Sequence, residues 1–221
     1  QEVDTLPGKL RIGFTAQHTM GMRVDEACVS ALQKAVDILR SEGHTVEEVE
    51  LPYRKEDLSE AFLVVVAGEL AGEINLMAQY LGRPVRPSDV EAETFAFNLL
   101  GRSFSAAEYT FAKRKWYEAS KRIAAFHERY DLLLTPTLGK RPIAIGSLQA
   151  SPAEKRLMAV INALRWGGAV KATIKDLADK IYDYIPWTPL ANLSGQPSMS
   201  VPMLRTEAEN LPVGAMFTAR L

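Results

Sequence analysis

Cysteine, histidine and an excess of either charge are scarce in this sequence, and each shortage excludes a class of protein. One cysteine and three histidines occur among 221 residues, so no internal disulfide can form and a structural zinc site is not expected. Lys and Arg number 26 against 27 Asp and Glu, which gives a formal net charge of −1. This balance disfavours nucleic acid as the main partner. We expect neither a metal nor another cofactor.

Long apolar runs are missing as well. The longest, residues 61–67 (AFLVVVA), covers about a third of the roughly 20 residues that a membrane span needs. We interpret it as buried core and expect no membrane partner and a cytoplasmic location. The composition, 47% hydrophobic and 24% charged, is typical of a soluble globular protein with a sizeable core.

The known sequence motifs of nucleophilic catalysis are also absent. No G-x-S-x-G occurs, no Ser is followed by Lys three positions later, and no Gly-rich phosphate loop is found. Ser198 and Ser200 belong to a short predicted strand, and no basic residue stands at a spacing that would activate them. We expect both to be small packing residues. From the residues alone, the sequence predicts an α/β domain without a recognisable catalytic centre.

A strand-helix-strand unit is predicted near the start of the chain. Residues 10–15 and 45–51 have strand patterns, and an amphipathic helix lies between them. Asp25 is placed to cap the helix N-terminus, Gly43 to end the helix, and Cys28 to lie on its apolar face. Such a unit places two parallel strands in one sheet.

The middle of the chain has helical periodicity. Residues 56–81 predict one helix, or two with a break near Gly68 or Gly72. Ser105 and Glu108 form a capping box at the start of what we expect to be the longest helix. Its apolar stripe is expected to comprise Tyr109, Ala112, Trp116, Ala119, Ile123, Phe126 and Tyr130.

The later part of the chain completes the predicted fold. Two more helices are expected at residues 151–163 and 173–184, and a stiff loop at 186–197. Further strands are expected at residues 131–135, 198–201 and 213–218. The predicted class is α/β, a mixed β-sheet flanked by helices, in a single domain over residues 1–221.

Two charged clusters leave alternatives open. Glu69 and Glu73 lie one helical turn apart, a spacing that suits metal binding or acid–base chemistry and equally suits a solvated helix face. The longest predicted helix carries a basic cluster that suits either an anion or solvent, namely Lys113, Arg114, Lys121 and Arg122. His127 has no partner at a motif spacing and is interpreted as structural.

Three segments, in order, resemble the second half of the amidase signature family. Residues 130–137 (YDLLLTPT) resemble its strand ending in Thr-Pro-Thr. Residues 188–202 (TPLANLSGQPSMSVP) resemble its T-x-x-x-N-x-x-G-x-P-x-x-x-x-P segment, and residues 211–214 (LPVG) its following strand entry. The strand at 9–13 (KLRIG) also matches. The set looks closest to bacterial amidases of the cyclic-oligoamide hydrolase type.

This resemblance implies a catalytic centre outside the sequence. The family uses a Lys, a bridging Ser and a nucleophilic Ser, all from its first half, and none of them is matched in this chain. Family members that hold glutamine do so with an Arg and an Asp, at places that here look like Ala96 and Ile185. The resemblance therefore implies a more apolar amide substrate.

The resemblance also implies a substrate-facing segment. In the family, the segment before the last strands shapes the acyl pocket. The substrate-binding residues expected on this ground are Ile185, Trp187, Thr188, Ala191 and Asn192. We expect Ile185 and Ala191 to form apolar wall, and Asn192 to tie the loop to the backbone. An alternative role for Trp187 is simply to fill the core.

The expected function is that of the C-terminal portion of an amidase for linear amides, inactive alone. The chain starts at Gln1 and stops directly after a strand-like run, so it looks truncated at both ends. Expected partners are an amide substrate and the missing N-terminal half, with self-association or a homodimer covering the exposed surface. The alternative is a non-catalytic α/β module that binds a small molecule or regulates another protein.

Overall fold

The computed structural model describes residues 7–53, 55–147, 152–171, 180–207 and 209–220. The chain forms two compact units. The first comprises Gln1–Lys55, Glu118–Ile143 and Lys180–Leu221, and the second comprises Glu56–Tyr117 and Ala144–Asp179. The single domain expected from the sequence stays a prediction, and each unit is described by itself.

A five-stranded mixed sheet forms the centre of the first unit. Its strands are β1 (Arg11–Phe14), β2 (Thr45–Glu48), β3 (Leu132–Pro136), β4 (Ser198–Arg205) and β5 (Pro212–Ala219). Their order across the sheet is β2-β1-β3-β5-β4. β1 pairs in parallel with β2 and β3, whereas β5 is antiparallel to β3 and β4. The predicted mixed sheet with flanking helices is confirmed.

Helix α1 (Glu26–Ser41) connects the parallel strands β1 and β2. The Asp25 carboxylate accepts a hydrogen bond of 3.0 Å from the Ala27 backbone N–H, which confirms the predicted N-cap. Gly43 follows the end of the helix with φ of 82°, in the left-handed region that favours glycine. Cys28 is 1% exposed and lies in the core, as predicted. Its burial raises the pKa of the thiol to about 11.

Helix α1 covers one face of the sheet. Because side chains alternate along a strand, one face receives every second residue of each strand. The cluster on this face combines Leu32, Ala35 and Val36 of the helix with four strand residues, Ile12, Val46, Leu134 and Ala215. All seven are buried, so this face is the main apolar core of the first unit.

Helices form the second unit. They are α2 (Lys55–Leu81), α3 (Ala92–Arg102), the part of α4 (Ala106–Phe126) up to Tyr117, α5 (Pro152–Leu164) and α6 (Gly167–Lys171), with a 3₁₀ turn at Pro87–Asp89. The capping box at α4 is confirmed, because the Ser105 hydroxyl accepts from Glu108 N–H at 3.2 Å and the Glu108 carboxylate accepts from Ser105 N–H at 2.8 Å.

Two expectations about these helices are wrong. The longest helix is α2, with 27 residues against 21 in α4, because neither Gly68 nor Gly72 breaks it. A Cβ at Gly68 would lie 2.7 Å from the Tyr109 ring, so this glycine makes room for an aromatic side chain. The apolar stripe also ends earlier than expected. Tyr130 lies beyond the end of α4 and stacks on Phe126, with ring centroids 4.8 Å apart.

The C-terminal segment differs from its prediction in two places. The expected stiff loop at 186–197 contains a short helix, α7 (Thr188–Ser194), which ends at Gly195 with φ of 75°. Strand β4 runs on to Arg205 through Pro202, since a proline is tolerated on an edge strand and a register shift follows it. Of the helix expected at 173–184, residues 180–184 are helical and the rest lies outside the described residues.

Helix α2 is long and apolar enough to cross a membrane by length and composition alone. The segment Glu60–Leu81 has 22 residues, and its most apolar window of 18 residues has a mean hydropathy of 1.6 and is 33% buried. One such helix is weak evidence, because core helices of soluble proteins pass the same test. The expectation that the protein has no membrane partner stays a prediction.

Candidate functional site

Buried polar side chains gather at the carboxyl ends of β1 and β3. Thr15, His18 and Thr19 follow β1 and are 3%, 4% and 6% exposed, and Thr135 at the end of β3 is 1% exposed. The two strands are parallel neighbours, so their carboxyl ends meet at one edge of the sheet. In open α/β sheets this edge is where ligands usually bind. We therefore take it as the candidate site of the first unit.

Trp187 anchors the loop after β1. Its side chain has no exposed surface, and its indole N–H donates a hydrogen bond of 3.0 Å to the Gln17 carbonyl. The Thr19 hydroxyl donates to the Pro186 carbonyl and lies 3.1 Å from the Tyr53 hydroxyl. These bonds hold the β1 loop against the segment that enters α7.

His18 is a buried histidine in this loop. Its Nδ1 accepts a hydrogen bond of 3.0 Å from the Met20 N–H, so the ring proton lies on Nε2. That Nε2 is buried near the Asp183 backbone and has no other hydrogen-bond partner among the described residues. Burial lowers the pKa of His18, although the backbone and charge of Asp183 oppose this effect. The ring of Trp187 lies 6.2 Å away, centroid to centroid.

The charged groups beside the site are already paired. Lys140 forms an ion pair with Asp183, and Arg141 forms one with Asp25 at 3.0 Å. Gly139 lies between these pairs, and its N–H donates to the Tyr184 carbonyl at 3.0 Å. A Cβ at Gly139 would come within 2.7 Å of the Asp183 carbonyl oxygen, so only glycine fits this approach.

Hydroxyl groups line the neighbouring face of strands β4 and β5. The Thr137 and Ser200 hydroxyls share a hydrogen bond of 2.6 Å above Gly214, where a Cβ would lie only 2.6 Å from the Ser200 oxygen. Ser198 shares a bond of 2.9 Å with Thr218. Both serines therefore bond to hydroxyl or carbonyl groups, and in the described part of the chain neither contacts a base that would activate it.

Thr135 stands apart from this hydroxyl network. The strand register places Thr135 opposite Met216, which in turn lies opposite Ser200. The Thr135 hydroxyl is buried and has no hydrogen-bond partner within the described ranges. An unpaired buried hydroxyl is costly, so it is a candidate contact for a ligand or for further polypeptide.

The five residues expected to bind substrate lie in and before α7, where their exposure differs. Trp187 is buried, Asn192 is exposed, and Ile185, Thr188 and Ala191 are half-buried. The Asn192 side chain makes no hydrogen bond within the described ranges, so the expected local bond is not formed. Trp187 fills the core and anchors a loop, and a role of any of the five in binding stays a prediction.

The end of α7 is fixed to the last strand. The Ser194 hydroxyl lies within hydrogen-bond distance of two acceptors, the Leu190 carbonyl at 2.9 Å and the Gln196 side-chain oxygen at 2.8 Å, which share its one proton. Gln196 is 8% exposed and donates to the Ala219 carbonyl at 2.8 Å. Together with the Trp187 bond, these contacts fix both ends of the segment that carries the expected substrate residues.

His18 and Thr135 were not singled out from the sequence. A signal existed for both, because each stands at or just after the carboxyl end of a predicted strand. The acidic pair Glu69 and Glu73 does not gather further ligands, since no cluster of three or more His, Cys, Asp or Glu suited to a metal occurs in the described ranges. Glu69 instead contacts Tyr109 and Lys113 of α4.

Solved amidases have the same fold. The structure of 6-aminohexanoate cyclic dimer hydrolase complexed with substrate superposes with a TM-score of 0.73 and 21% identity, over 99% of this chain and 43% of that one. A bacterial aryl acylamidase of the amidase signature family superposes with a TM-score of 0.65 and 18% identity, over 96% of this chain and 40% of that one. At these identities the likeness establishes the fold.

Sequence comparisons establish the family. The lipoamidase of Enterococcus faecalis is 32% identical over 211 residues, which cover 95% of this chain and 29% of that enzyme. The chain therefore spans less than half the length of the relatives it matches. The Amidase family model matches residues 1–221, from the β1 strand through the Thr-Pro-Thr segment to β5. On this match of the family model, the chain belongs to the amidase family.

Proposed function

We propose that this chain is the C-terminal portion of an amidase that hydrolyses carbon–nitrogen bonds of linear amides. In this proposal the chain supplies scaffold and part of the substrate pocket. The observation that carries it is the match of the Amidase family along the whole of residues 1–221. The 32% identity to a lipoamidase supports an amide as the substrate class.

The chemistry is assigned to residues outside this chain. Amide hydrolysis needs a nucleophile, a base that removes its proton and delivers it to the leaving amine, and donors that hold the oxyanion. By the resemblance, a Lys and two Ser of the first half perform these steps. Ser198 and Ser200 are occupied by neighbouring hydroxyl and carbonyl groups. The chain alone is therefore expected to have no turnover.

The pocket contribution is assigned to the segment around α7. Ile185, Thr188 and Ala191 are half-buried and keep some surface for a ligand, and two of the three are apolar. The places expected to hold glutamine in related subunits are occupied by Ala96, which is 6% exposed, and by Ile185. Neither side chain can pair with an ammonium or a carboxylate, so an apolar acyl group is favoured.

The partner is assigned to the open edge of the sheet. Strand β4 is an edge strand over Ser198–Arg205, and no described strand pairs with its outer side. An unpaired edge is a template for another strand. Met199 on this strand is 63% exposed. The remainder of the amidase is the proposed occupant, and a second copy of the chain would give self-association instead.

One experiment tests the activity. The complete amidase polypeptide and residues 1–221 are purified and assayed with acetyl, hexanoyl and lauroyl 4-nitroanilides, following release of 4-nitroaniline. Turnover by the complete polypeptide and none by residues 1–221 is expected. Turnover by residues 1–221 that is lost in Ser198→Ala or Ser200→Ala would overturn the assignment of chemistry to the first half. A complete polypeptide without any amidase activity would favour the non-catalytic module.

A second experiment tests the pocket residues in the complete polypeptide. Ile185→Asp and Ala191→Trp should change the ranking of the three acyl chains, since one adds a charge and the other adds bulk to the expected apolar wall. Lys34→Ala is the control variant, because Lys34 is exposed on α1 and is not one of the expected substrate-binding residues. If both wall variants fold and keep the original ranking, this segment does not line the acyl pocket.

A further inference from the structure

A cavity of about 560 Å³ lies inside the second unit. It opens between α2, α3 and the segment that links α5 to α6. Its volume falls within the range of roughly 300–1,000 Å³ that small-molecule sites occupy. The site described above belongs to the first unit, so this cavity is not accounted for by it.

The floor of the cavity is apolar. It is formed by Ile74 of α2, Val85 of the following loop, and Phe95 and Leu99 of α3, which are 3–7% exposed. Close helix contacts hold this floor. A Cβ at Gly167 would overlap the Leu99 carbonyl oxygen, so α3 and α6 meet at backbone distance.

The rim of the cavity carries an oriented guanidinium group. Arg102 donates from Nε to the Asn98 side-chain oxygen at 2.9 Å and from a terminal nitrogen to the Asn75 side-chain oxygen. Asn98 is 3% exposed, so it is a fixed anchor. Both acceptors are neutral amides, and they position the Arg102 side chain while leaving its charge uncompensated.

A second guanidinium group comes from a residue in an unusual conformation. Arg165 has φ of 52°, in the left-handed region that non-glycine residues adopt only at a cost. It occupies the position after α5 where glycine is normal, because Arg165 N–H bonds to the Asn162 carbonyl at 3.3 Å and Trp166 N–H to the Ile161 carbonyl at 3.0 Å. An arginine therefore stands at a place where glycine would be less strained.

The cavity has no acidic residue to balance these charges. None of its described lining residues is Asp or Glu. Neither Arg102 nor Arg165 forms an ion pair in the described part of the chain, whereas Arg83 of the same unit pairs with Asp89 at 2.7 Å. Two arginines without an ion pair that line a cavity with an apolar floor favour an anion with an apolar body.

We propose that this cavity binds an organic carboxylate, with the carboxylate on Arg102 and Arg165 and the alkyl or aryl body on the apolar floor. Guanidinium groups match the planar carboxylate with paired N–H donors. Burial of the hydrocarbon part adds the hydrophobic contribution that a simple anion lacks. This proposal requires no catalytic residue and is tested by binding. A negative binding result would therefore leave the proposed amidase activity unaffected.

Binding is measured on residues 1–221 with sodium octanoate, by calorimetry and by tryptophan fluorescence. The chain has three tryptophans, so the fluorescence change is compared with that of Trp166→Phe, which isolates the signal of Trp166. Trp166 is 62% exposed, directly follows Arg165 and provides a local reporter. Octanamide has the same chain without the charge, and acetate and inorganic phosphate have charge without the long chain. At constant ionic strength, octanoate should bind at least about tenfold more tightly than each of the three, since each lacks one of the two proposed contacts.

Two arginine variants test whether octanoate binds in this cavity. Arg102→Gln and Arg165→Asn should each weaken octanoate binding by about tenfold, as expected for loss of a charge-assisted hydrogen bond. Asparagine tolerates the left-handed conformation at position 165. Arg114→Gln is the matched control, because it removes an exposed arginine from α4 of the same unit, outside this cavity, and should leave the affinity unchanged.

Several results would contradict binding of a carboxylate by Arg102 and Arg165. Equal affinity for octanoate and octanamide, or for octanoate and phosphate, would overturn the proposal. So would unchanged octanoate binding in Arg165→Asn with its circular dichroism spectrum preserved. If Arg102→Gln fails to fold, the ligand comparison on the unmodified chain and the Arg165→Asn variant still decide the question.

Discussion

The indole N–H of Trp187 donates a hydrogen bond of 3.0 Å to the backbone carbonyl of Gln17, across a sequence separation of 170 residues. Trp187 has no exposed surface, so this bond is shielded from water. It joins the segment that enters α7 to the loop that follows β1. The loop that carries His18 and Thr19 therefore depends on the C-terminal segment for its position.

Replacing Trp187 tests this dependence. Trp187→Phe removes the donor but keeps an aromatic ring, and should lower the free energy of unfolding by about 1–3 kcal/mol because the Gln17 carbonyl loses its partner. Trp187→Ala should cost about 3–5 kcal/mol, since it also creates a cavity. Urea unfolding of residues 1–221 measures both.

The control for this prediction is Trp166→Phe. Trp166 is 62% exposed, so its replacement should change the free energy of unfolding by less than about 0.5 kcal/mol. Unaltered stability in Trp187→Phe would show that the buried bond contributes nothing. Trp187 would then stabilise the chain through its packing alone.

Alanine substitutions at two glycines of the second unit should change the free energy of unfolding in opposite directions. A Cβ at Gly101 in α3 would overlap the Ala67 carbonyl oxygen of α2, whereas a Cβ at Gly72 would meet nothing within 4 Å. Gly101→Ala should therefore destabilise by roughly 2 kcal/mol or more through overpacking. Gly72→Ala should stabilise by about 0.5–1 kcal/mol, because alanine is the better helix former. Thermal unfolding of the two variants is compared, and the same sign in both would refute the packing of α2 on α3.

Elements whose signals are local could be predicted from the sequence. The Asp25 cap and the Ser105–Glu108 capping box lie at the helix starts that the sequence predicts. The continuous apolar run of β3 predicts its burial. These features depend on neighbours within a few residues, so the sequence pattern contains the needed information.

Features that depend on distant contacts could not be predicted in this way. In the sequence, Gly68 has the properties of a helix break. In the structure it lies within a continuous helix and makes room for the Tyr109 ring, a contact between residues 41 positions apart. Helix α7 was hidden by Pro189 and by Gly195 and Pro197 just beyond its end, since turn formers in and near a short helix have the composition of a loop. Whether the Thr135 hydroxyl finds a hydrogen-bond partner depends on the register between β3 and β5. No local sequence pattern determines that register.

Acid should destabilise the chain through its buried histidines. Burial lowers the pKa of both His18 and His127, so the unfolded chain binds protons at a higher pH than the folded chain does. The stability that these two histidines contribute is complete above their pKa in the unfolded chain, about 6.5. It is lost as the pH falls through their lower pKa values in the folded chain. Asp183 weakens the effect at His18, and Lys140 strengthens it.

The measurement is the free energy of unfolding in urea from pH 7.5 to 5.0. The unmodified chain should lose stability as the pH falls. His18→Gln and His127→Gln should each flatten this dependence, and the double variant should flatten it further. A slope that is identical in the unmodified chain and in both single variants would exclude buried neutral histidines as its source.

Thr135 offers a test that separates stability from function. Its hydroxyl is buried and unpaired within the described ranges, so Thr135→Val exchanges an unsatisfied polar group for a methyl group of similar size. The free energy of unfolding should rise by about 1 kcal/mol or stay unchanged. Thr218→Val is the matched control. It breaks a 2.9 Å bond to Ser198 on the neighbouring strand and should cost about 1 kcal/mol.

In the complete amidase, the same substitution probes what the Thr135 hydroxyl is for. If the hydroxyl contacts the substrate or the part of the protein that holds the nucleophile, Thr135→Val should reduce kcat/KM at least about tenfold without loss of stability. Such a trade of activity for stability is typical of a polar group kept for function. A variant with unchanged kcat/KM and unchanged stability would make Thr135 an ordinary core residue and remove it from the candidate site.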